Sequence, residues 1–596
     1  MKTIRSMTFA IVICALSVCL LSTGCSGGQS APGAAQIDEG TISREALVSK
    51  RFQFSWSSDD GGGVNGTATL REDGSIAGIA SPNESTWLVD PSGRLLFQHA
   101  DGRVSTRYDK VWVEDGRLRF EGPFLFREGI THHLVELPGS APEREQCITP
   151  EQAGQIKYTT QQFLYLDPGE SSVFRLKDGT ERRIRLVSVQ EHEDPVIHLT
   201  RRADVEVEID GRPIQLTCAP YVMPAETQGV RIQADTTSAW LKTPKRVQFS
   251  LWDASDPIVD TDLFCFPLPG YRLFSHGMQA YNEPVHLGDR DGDPAGQRFY
   301  HNYGVDMAGY EGRQKVLSGI DGVVVQTDRD EGDLFIQDDR GFVLYYGHLD
   351  SILPGIRAGA SVKRGQWVAM LGKRGASGNF SHLHVGAFLS ESAMAEGRLN
   401  RNLNLYPWLV SAYQQENGTS LYAVARPHIA ALTDDSVLFD GSNSLAFQSK
   451  ITSYRWWFHD GTCADGAQVR KVYDKPGCYA ATLWVRDDQG SVDVDSCTVR
   501  VYSRSSPEEA IGTLFVTYVP SARLRVDQPV NFRIWPQGVA AQDIKVDFGD
   551  GTDLDGYRPY SAITHCFGTP GIHVVTVSGT AGGLPVTQRV EVIVGE

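Results

Sequence analysis

The chain has 596 residues, more than one hydrophobic core normally serves, so several domains are expected. Hydrophobic residues at 41% and charged ones at 22% describe ordinary globular material, and 60 glycines and 29 prolines among short alternating runs point to β-rich domains. The formal net charge of −17 argues against nucleic acid as a partner and against electrostatic adhesion to an anionic wall or membrane.

Residues 1–24 carry Lys2 and Arg5, then an apolar run from Phe9 to Leu21, and read as a secretory signal peptide. The LSTGC ending resembles a bacterial lipoprotein box. That resemblance implies that Cys25 becomes a lipidated N-terminus, and Ser26 after it favours the outer membrane. Residues 25–45 (CSGGQSAPGAAQ and onward) form a flexible tether. No second apolar stretch is long enough to span a bilayer. The expected location is therefore exported and lipid-anchored, at the outer membrane, cell surface or periplasm. Of the ten cysteines, Cys147, Cys218, Cys265, Cys463, Cys478, Cys497 and Cys566 remain once the signal and the anchor are set aside. Export permits disulfides, so pairing is expected within 147–265 and within 463–497, and the odd number leaves at least one thiol unpaired.

Residues 46–140 alternate short strands with DG and SG turns (FQFSWSS, GTATLRED, GRLLFQHADG), the pattern of an antiparallel β unit. Residues 141–265 form a second β-rich domain, with SVFRLKDGTERRIRLVSV and ADVEVEIDGRPIQL as hairpins. His132 and His133 are strand neighbours facing opposite ways, and His192 reads as a solvated loop residue, so none of them is a co-ligand. DRDGD (289–293) reads as a solvated acidic turn, because it lacks the remaining oxygen ligands of a calcium loop.

Residues 266–416 hold the chemistry. RFYHNYGVDMAG (298–309), LYYGHLDS (344–351) and SGNFSHLHVGAF (377–388) place histidines on strands separated by glycine turns. His382 and His384 are two apart, so both imidazoles point to one face of a strand while Leu383 enters the core behind them. His301, Asp306 and His348 add two imidazoles and a carboxylate. Two histidines and one carboxylate around an open position make a catalytic rather than a structural zinc arrangement.

The order His, GVD, YGHLD, SHLHVGAF, together with GIDGVVVQ and SVKRGQWVAMLGKRG between, resembles the LytM/lysostaphin-type zinc endopeptidases, which cut peptide crosslinks in bacterial peptidoglycan. The resemblance covers about a quarter of the chain. It implies a compact β-sandwich closed by NLNLYPWLVSAYQQ (402–415), with Zn2+ held by His301, Asp306 and His384 and with His348 and His382 as the unligated catalytic pair. Tyr303 and Tyr345 or Tyr346 are candidates for an added hydrogen bond. One departure stands out. The family spaces its first His and Asp as H-x-x-x-D, and here the step is one longer, with Asn302 where the family's His stands. A five-residue step puts two side chains on opposite strand faces, so a bulge near Gly304 is expected to restore the parity.

Two further units end the chain. VLFDGSNS, YRWWFHDGT and VYDKPGCYAATLWVRDDQGS within 421–503, and VDFGDGT with HCFGTPGIHVVTV within 511–596, resemble PKD domains, which are Ig-like β-sandwiches. Trp456 and Phe458 belong to the core, and Trp457 faces outward. The resemblance implies spacers or binders of protein or polysaccharide. The fold class is thus mainly β and multidomain. The leading expectation is a zinc metalloendopeptidase acting on peptidoglycan crosslinks. Alternatives are an inactive LytM-like binding or activator module, a surface adhesion protein and a general secreted protease.

Overall fold

The computed structural model describes most of residues 44–596, leaving aside 1–43, 138–155, 287–298, 391–402 and some shorter stretches. The signal, the Cys25 anchor, Cys147 and the DRDGD turn lie outside the described residues. Among the described residues no helix is long and apolar enough to cross a membrane.

The chain is mainly β throughout. The first unit pairs a six-stranded antiparallel sheet with a three-stranded one around Phe52, Phe54, Trp87, Phe97 and Phe120. His132 and His133 do face opposite ways: His132 Nδ1 lies 2.7 Å from Thr106 Oγ1, and His133 Nε2 lies 2.7 Å from Ser57 Oγ. The second unit stacks two four-stranded sheets, including the hairpins Ser171–Arg175 with Glu181–Glu193 and Thr200–Ile209 with Arg212–Cys218. His192 lies on a strand rather than in a loop, and its Nε2 is 2.8 Å from Asp204 Oδ2.

The central unit is built on a seven-stranded antiparallel sheet. Its strands run in the order Met278–Gln279, Val305–Ala308, His382–Phe388, Val343–Gly347, Asp333–Gln337, Gly322–Asp328, Ser361–Val362. A three-stranded sheet, Lys315–Leu317, Trp367–Leu371 and Leu349–Ile352, packs against it. The core between them is contiguous and holds Val305, Met307, Leu344, Leu383, Val385 and Leu371. The helix Tyr406–Asn417 closes the unit, with Pro407 in its first turn, where no intrahelical N–H is needed, and Gly418 at its left-handed C-terminus.

Two sandwiches follow, and they are not independent beads. The sheet carrying Gly477–Asp487 and Val492–Tyr502 continues through a parallel contact, Cys478 opposite Val586, into the final sandwich. Trp456 and Phe458 are buried, and Trp457 is 40% exposed. The expected cysteine pairing is absent: the six described cysteines are all free. Cys463 lies exposed on a short edge strand, while Cys478 and Cys497 sit in two different cores, so no two of these three meet.

Candidate metal centre

The site grows from two adjacent strands. In the Val305–Ala308 and His382–Phe388 pair, Asp306 stands directly opposite His384, and Ala308 opposite His382. Period-two alternation sends Asp306, His382 and His384 to one face, while Met307, Leu383 and Val385 go into the core. His348 follows the next strand over, at the bend after Val343–Gly347, with a left-handed backbone (φ 63°) that a non-glycine residue seldom takes outside functional or turn positions.

Ligand atoms of His348, His382 and His384 all lie within 4.8 Å of one another. Each ring is oriented by a partner that can only accept a proton. His348 Nδ1 lies 2.7 Å from the Arg374 carbonyl, His382 Nδ1 lies 2.8 Å from the Phe380 carbonyl, and His384 Nδ1 lies 2.6 Å from Asp306 Oδ1. All three Nδ1 atoms therefore donate, which leaves each Nε2 as the nitrogen available to a metal, the arrangement that metal-binding imidazoles adopt. His384 Nε2 is buried with no hydrogen-bond partner. His382 Nε2 lies 3.6 Å from Asp306 Oδ1.

The electrostatics agree with the geometry. Burial by itself would raise the Asp306 carboxyl, but the imidazoles of His382 and His384 and the His384 hydrogen bond outweigh it and hold it below the usual carboxylate range. Burial pushes His382 down, and it pushes His348 down to about 3, with the neighbouring imidazoles adding to the effect. Both rings are thus neutral at pH 7. Three imidazoles and an ionised carboxylate converging on one spot, with the buried Nε2 of His384 left without a partner, fit a zinc-type divalent ion.

His301 is not part of this group. No bulge carries one strand through the GVD motif. The Phe299–His301 strand ends at Asn302 and pairs instead with Pro284–His286 in a separate two-stranded ribbon. His301 Nε2 lies 3.0 Å from the Thr200 carbonyl, and the Trp240 backbone also hydrogen-bonds the ring, so His301 faces the second β unit. The bulge expected near Gly304 did not form, because the chain leaves the strand at 302–304 and enters a different sheet at Val305. Asn302 is buried in a backbone network, its Nδ2 donating to the Gln279 carbonyl at 3.1 Å and its Oδ1 accepting from Gly304 N at 3.3 Å.

Of the tyrosines, Tyr346 serves the core, its hydroxyl accepting from Gly319 N at 2.7 Å. Tyr345 lies with its ring 5.4 Å from His384 and its hydroxyl 2.8 Å from Asp333 Oδ1. The Tyr303 ring lies 4.8 Å from that of His384. Sequence reasoning missed the residues beyond the central unit that line the space beside Asp306 and His382, among them His428, Thr498, Thr513 and Phe515. No local motif marks them, because each lies more than forty positions from both Asp306 and His382.

Comparison with known proteins assigns two stretches of the chain to family profiles. Residues 300–395 match the Peptidase family M23 profile, and residues 422–501 match the PKD domain profile. Over 89 residues the chain is 29% identical to collagenase ColA of Clostridium perfringens, spanning 15% of this chain and 8% of that protein. To collagenase ColA of Bacillus cereus the chain is 26% identical over 92 residues, 15% of this chain and 10% of that protein, so the chain spans about a tenth or less of the length of these relatives. Among solved structures, a protein described as a glycyl-glycine endopeptidase LytM from Ruminococcus gnavus is 22% identical, covering 26% of this chain and 61% of the other, with a TM-score of 0.18. A zinc-containing peptidase from Vibrio cholerae is 12% identical, covering 50% and 82%, with a TM-score of 0.18. The chain thus carries a peptidase family M23 domain at residues 300–395 and a PKD domain at residues 422–501.

Proposed function

We propose that the central unit is a zinc-dependent endopeptidase that hydrolyses the peptide crosslinks of bacterial peptidoglycan, carried on an exported protein anchored to the membrane through a lipidated Cys25. The observation that carries this reading is the convergence of one ring nitrogen each from His348, His382 and His384 within 4.8 Å of one another, beside the Asp306 carboxylate. Asp306 and His384 remain the expected holders of the metal. The third place, assigned to His301 from the sequence, falls to His382, whose Nε2 lies 3.6 Å from the carboxylate.

A zinc ion held there supplies Lewis acidity toward a water and toward the scissile carbonyl. The chain's own residues do the rest. Asp306 fixes the His384 ring and its tautomer. His348, neutral through burial and pinned at Nδ1 by Arg374, presents Nε2 as a proton acceptor and, once protonated, a donor to the leaving amine. The PKD-matching unit and the final sandwich act as spacers or binders of wall polymer or protein, with exposed Trp457 and the Arg455 guanidinium beside its ring as the contact surface.

The test is digestion of purified peptidoglycan by the zinc-loaded full chain, with the released ends read by mass spectrometry. New peptide termini that disappear in His384→Ala support the reading. A second reading, an M23 domain that binds wall peptide without cutting it, is favoured by one observation: His301 is committed to Thr200, and Asn302 stands in the family's histidine position. Stoichiometric zinc with cleavage selects the first reading; protein without zinc or cleavage that still sediments with peptidoglycan selects the second.

A further inference from the structure

Asp306, His382 and His384 are 2%, 5% and 3% exposed and His348 is half-buried, and on the side of Asp306 and His382 that faces the last sandwich the remaining space is a cavity of about 30 Å³. That volume admits a water or two, not a peptide. Part of its wall comes from the last sandwich: Thr513, Leu514, Phe515 and Gln537.

The contact is built from side chains that the last sandwich does not need for itself. In the strand Thr513–Val519, Leu514, Val516 and Tyr518 fill that sandwich's own core. Phe515 points the other way, as does Trp535 across from it on Pro529–Gln537. Both would face water if the sandwich stood alone. Instead Trp535 joins Ala308 and Phe380 in a small apolar cluster on which Phe515 packs. Phe380 is the link: its ring lies 4.6 Å from that of Phe515 on one side and stacks 4.7 Å from that of His382 on the other. An ion pair flanks the cluster, with Glu311 bound by Arg533 at 2.6 Å and by Lys373 at 2.9 Å. The Trp535 indole N–H is buried without a partner among the described residues, so the closed contact carries an unmet donor that opening would hydrate.

We propose that the C-terminal sandwich is an autoinhibitory lid: Phe515 and Trp535, clamped by Arg533 on Glu311, press Phe380 over His382 and keep the centre closed to a peptide until the sandwich is displaced. This rests on the reading of His348, His382, His384 and Asp306 as the reactive centre. The lid is read from apolar packing on an outer sheet face and from the small volume left inside, and it predicts that the full chain is latent as folded.

The test uses the full chain with the double substitution Phe515→Asp and Arg533→Glu, which places a carboxylate in the apolar cluster and like charges at Glu311 while sparing the sandwich core. Lys545→Ala, exposed on the same sandwich, is the control. Three readouts are taken: hydroxyl-radical oxidation of Trp535, acylation of His382 by diethyl pyrocarbonate in the zinc-free chain, and release of peptide from peptidoglycan by the zinc-loaded chain. The double variant is expected to raise all three, His382 acylation and hydrolysis by at least about tenfold, while the control matches the parent. Increased Trp535 oxidation with His382 still unreactive overturns the lid, as does a double variant in which Trp535 remains protected. If Trp535 and His382 both become reactive but no peptide is released, the lid stands and the peptidase reading fails.

Discussion

The Asp306 carboxylate accepts the Nδ1–H of His384 at 2.6 Å, and the two residues face each other across adjacent antiparallel strands. This contact fixes which nitrogen of His384 keeps its lone pair. Asp306→Asn can present an amide N–H or a carbonyl to that ring and no longer enforces the tautomer. Because the change also takes the charge from a proposed ligand oxygen, zinc affinity is expected to fall by at least about 10–100-fold, read by titration calorimetry, with little change in thermal stability. An affinity within twofold of the parent would remove Asp306 from the site.

Gly304 is required by proximity. A Cβ built there would lie 2.5 Å from His384 Nε2 and 2.6 Å from the Val385 carbonyl, and the backbone oxygen cannot give way cheaply. Gly304→Ala should rotate the His384 ring out of the cluster and cost about 1–3 kcal/mol as overpacking. Denaturant unfolding together with zinc content checks both effects. Unchanged zinc content would show that the ring position is not set by this contact.

His301→Gln separates the structural role from the ligand role. Glutamine can still donate to the Thr200 carbonyl but is a poor zinc ligand. The variant should bind zinc as the parent does and lose no more than about 1 kcal/mol of stability. Loss of zinc in this variant would restore His301 to the metal set and reverse the assignment made from its position.

The pH dependence follows from histidines buried in the neutral form. Burial pushes His301 and His132 down to about 4 from the usual 6.5. Between these values the unfolded chain binds more protons than the folded one, so their contribution is fully present above pH 6.5 and lost as pH falls toward 4. Melting temperature should therefore drop over that window. In His132→Gln the drop within the N-terminal unit should be smaller, as followed by hydrogen exchange in strands 51–58 and 131–136. An identical pH profile in the variant would show that His132 is not the titrating group.

The sequence by itself determined the β-rich architecture, the hairpins of the second unit and the helix that begins at Tyr406 with Pro407 in its first turn. Each follows from short-range periodicity and turn chemistry, which a chain carries within ten or so residues. The same is true of His382 and His384, because a step of two on a strand admits one outcome, and of Trp456 buried beside an exposed Trp457. Tertiary structure alone decided the fate of His301. The strand that carries it breaks off before Asp306, and the docking of the second β unit supplied the Thr200 carbonyl that captured its ring. Tertiary structure also left the thiols Cys478 and Cys497 in separate cores and brought Phe515 and Trp535 onto Phe380, because contacts between surfaces more than a hundred residues apart depend on how whole sheets pack, and no local pattern of side chains encodes that.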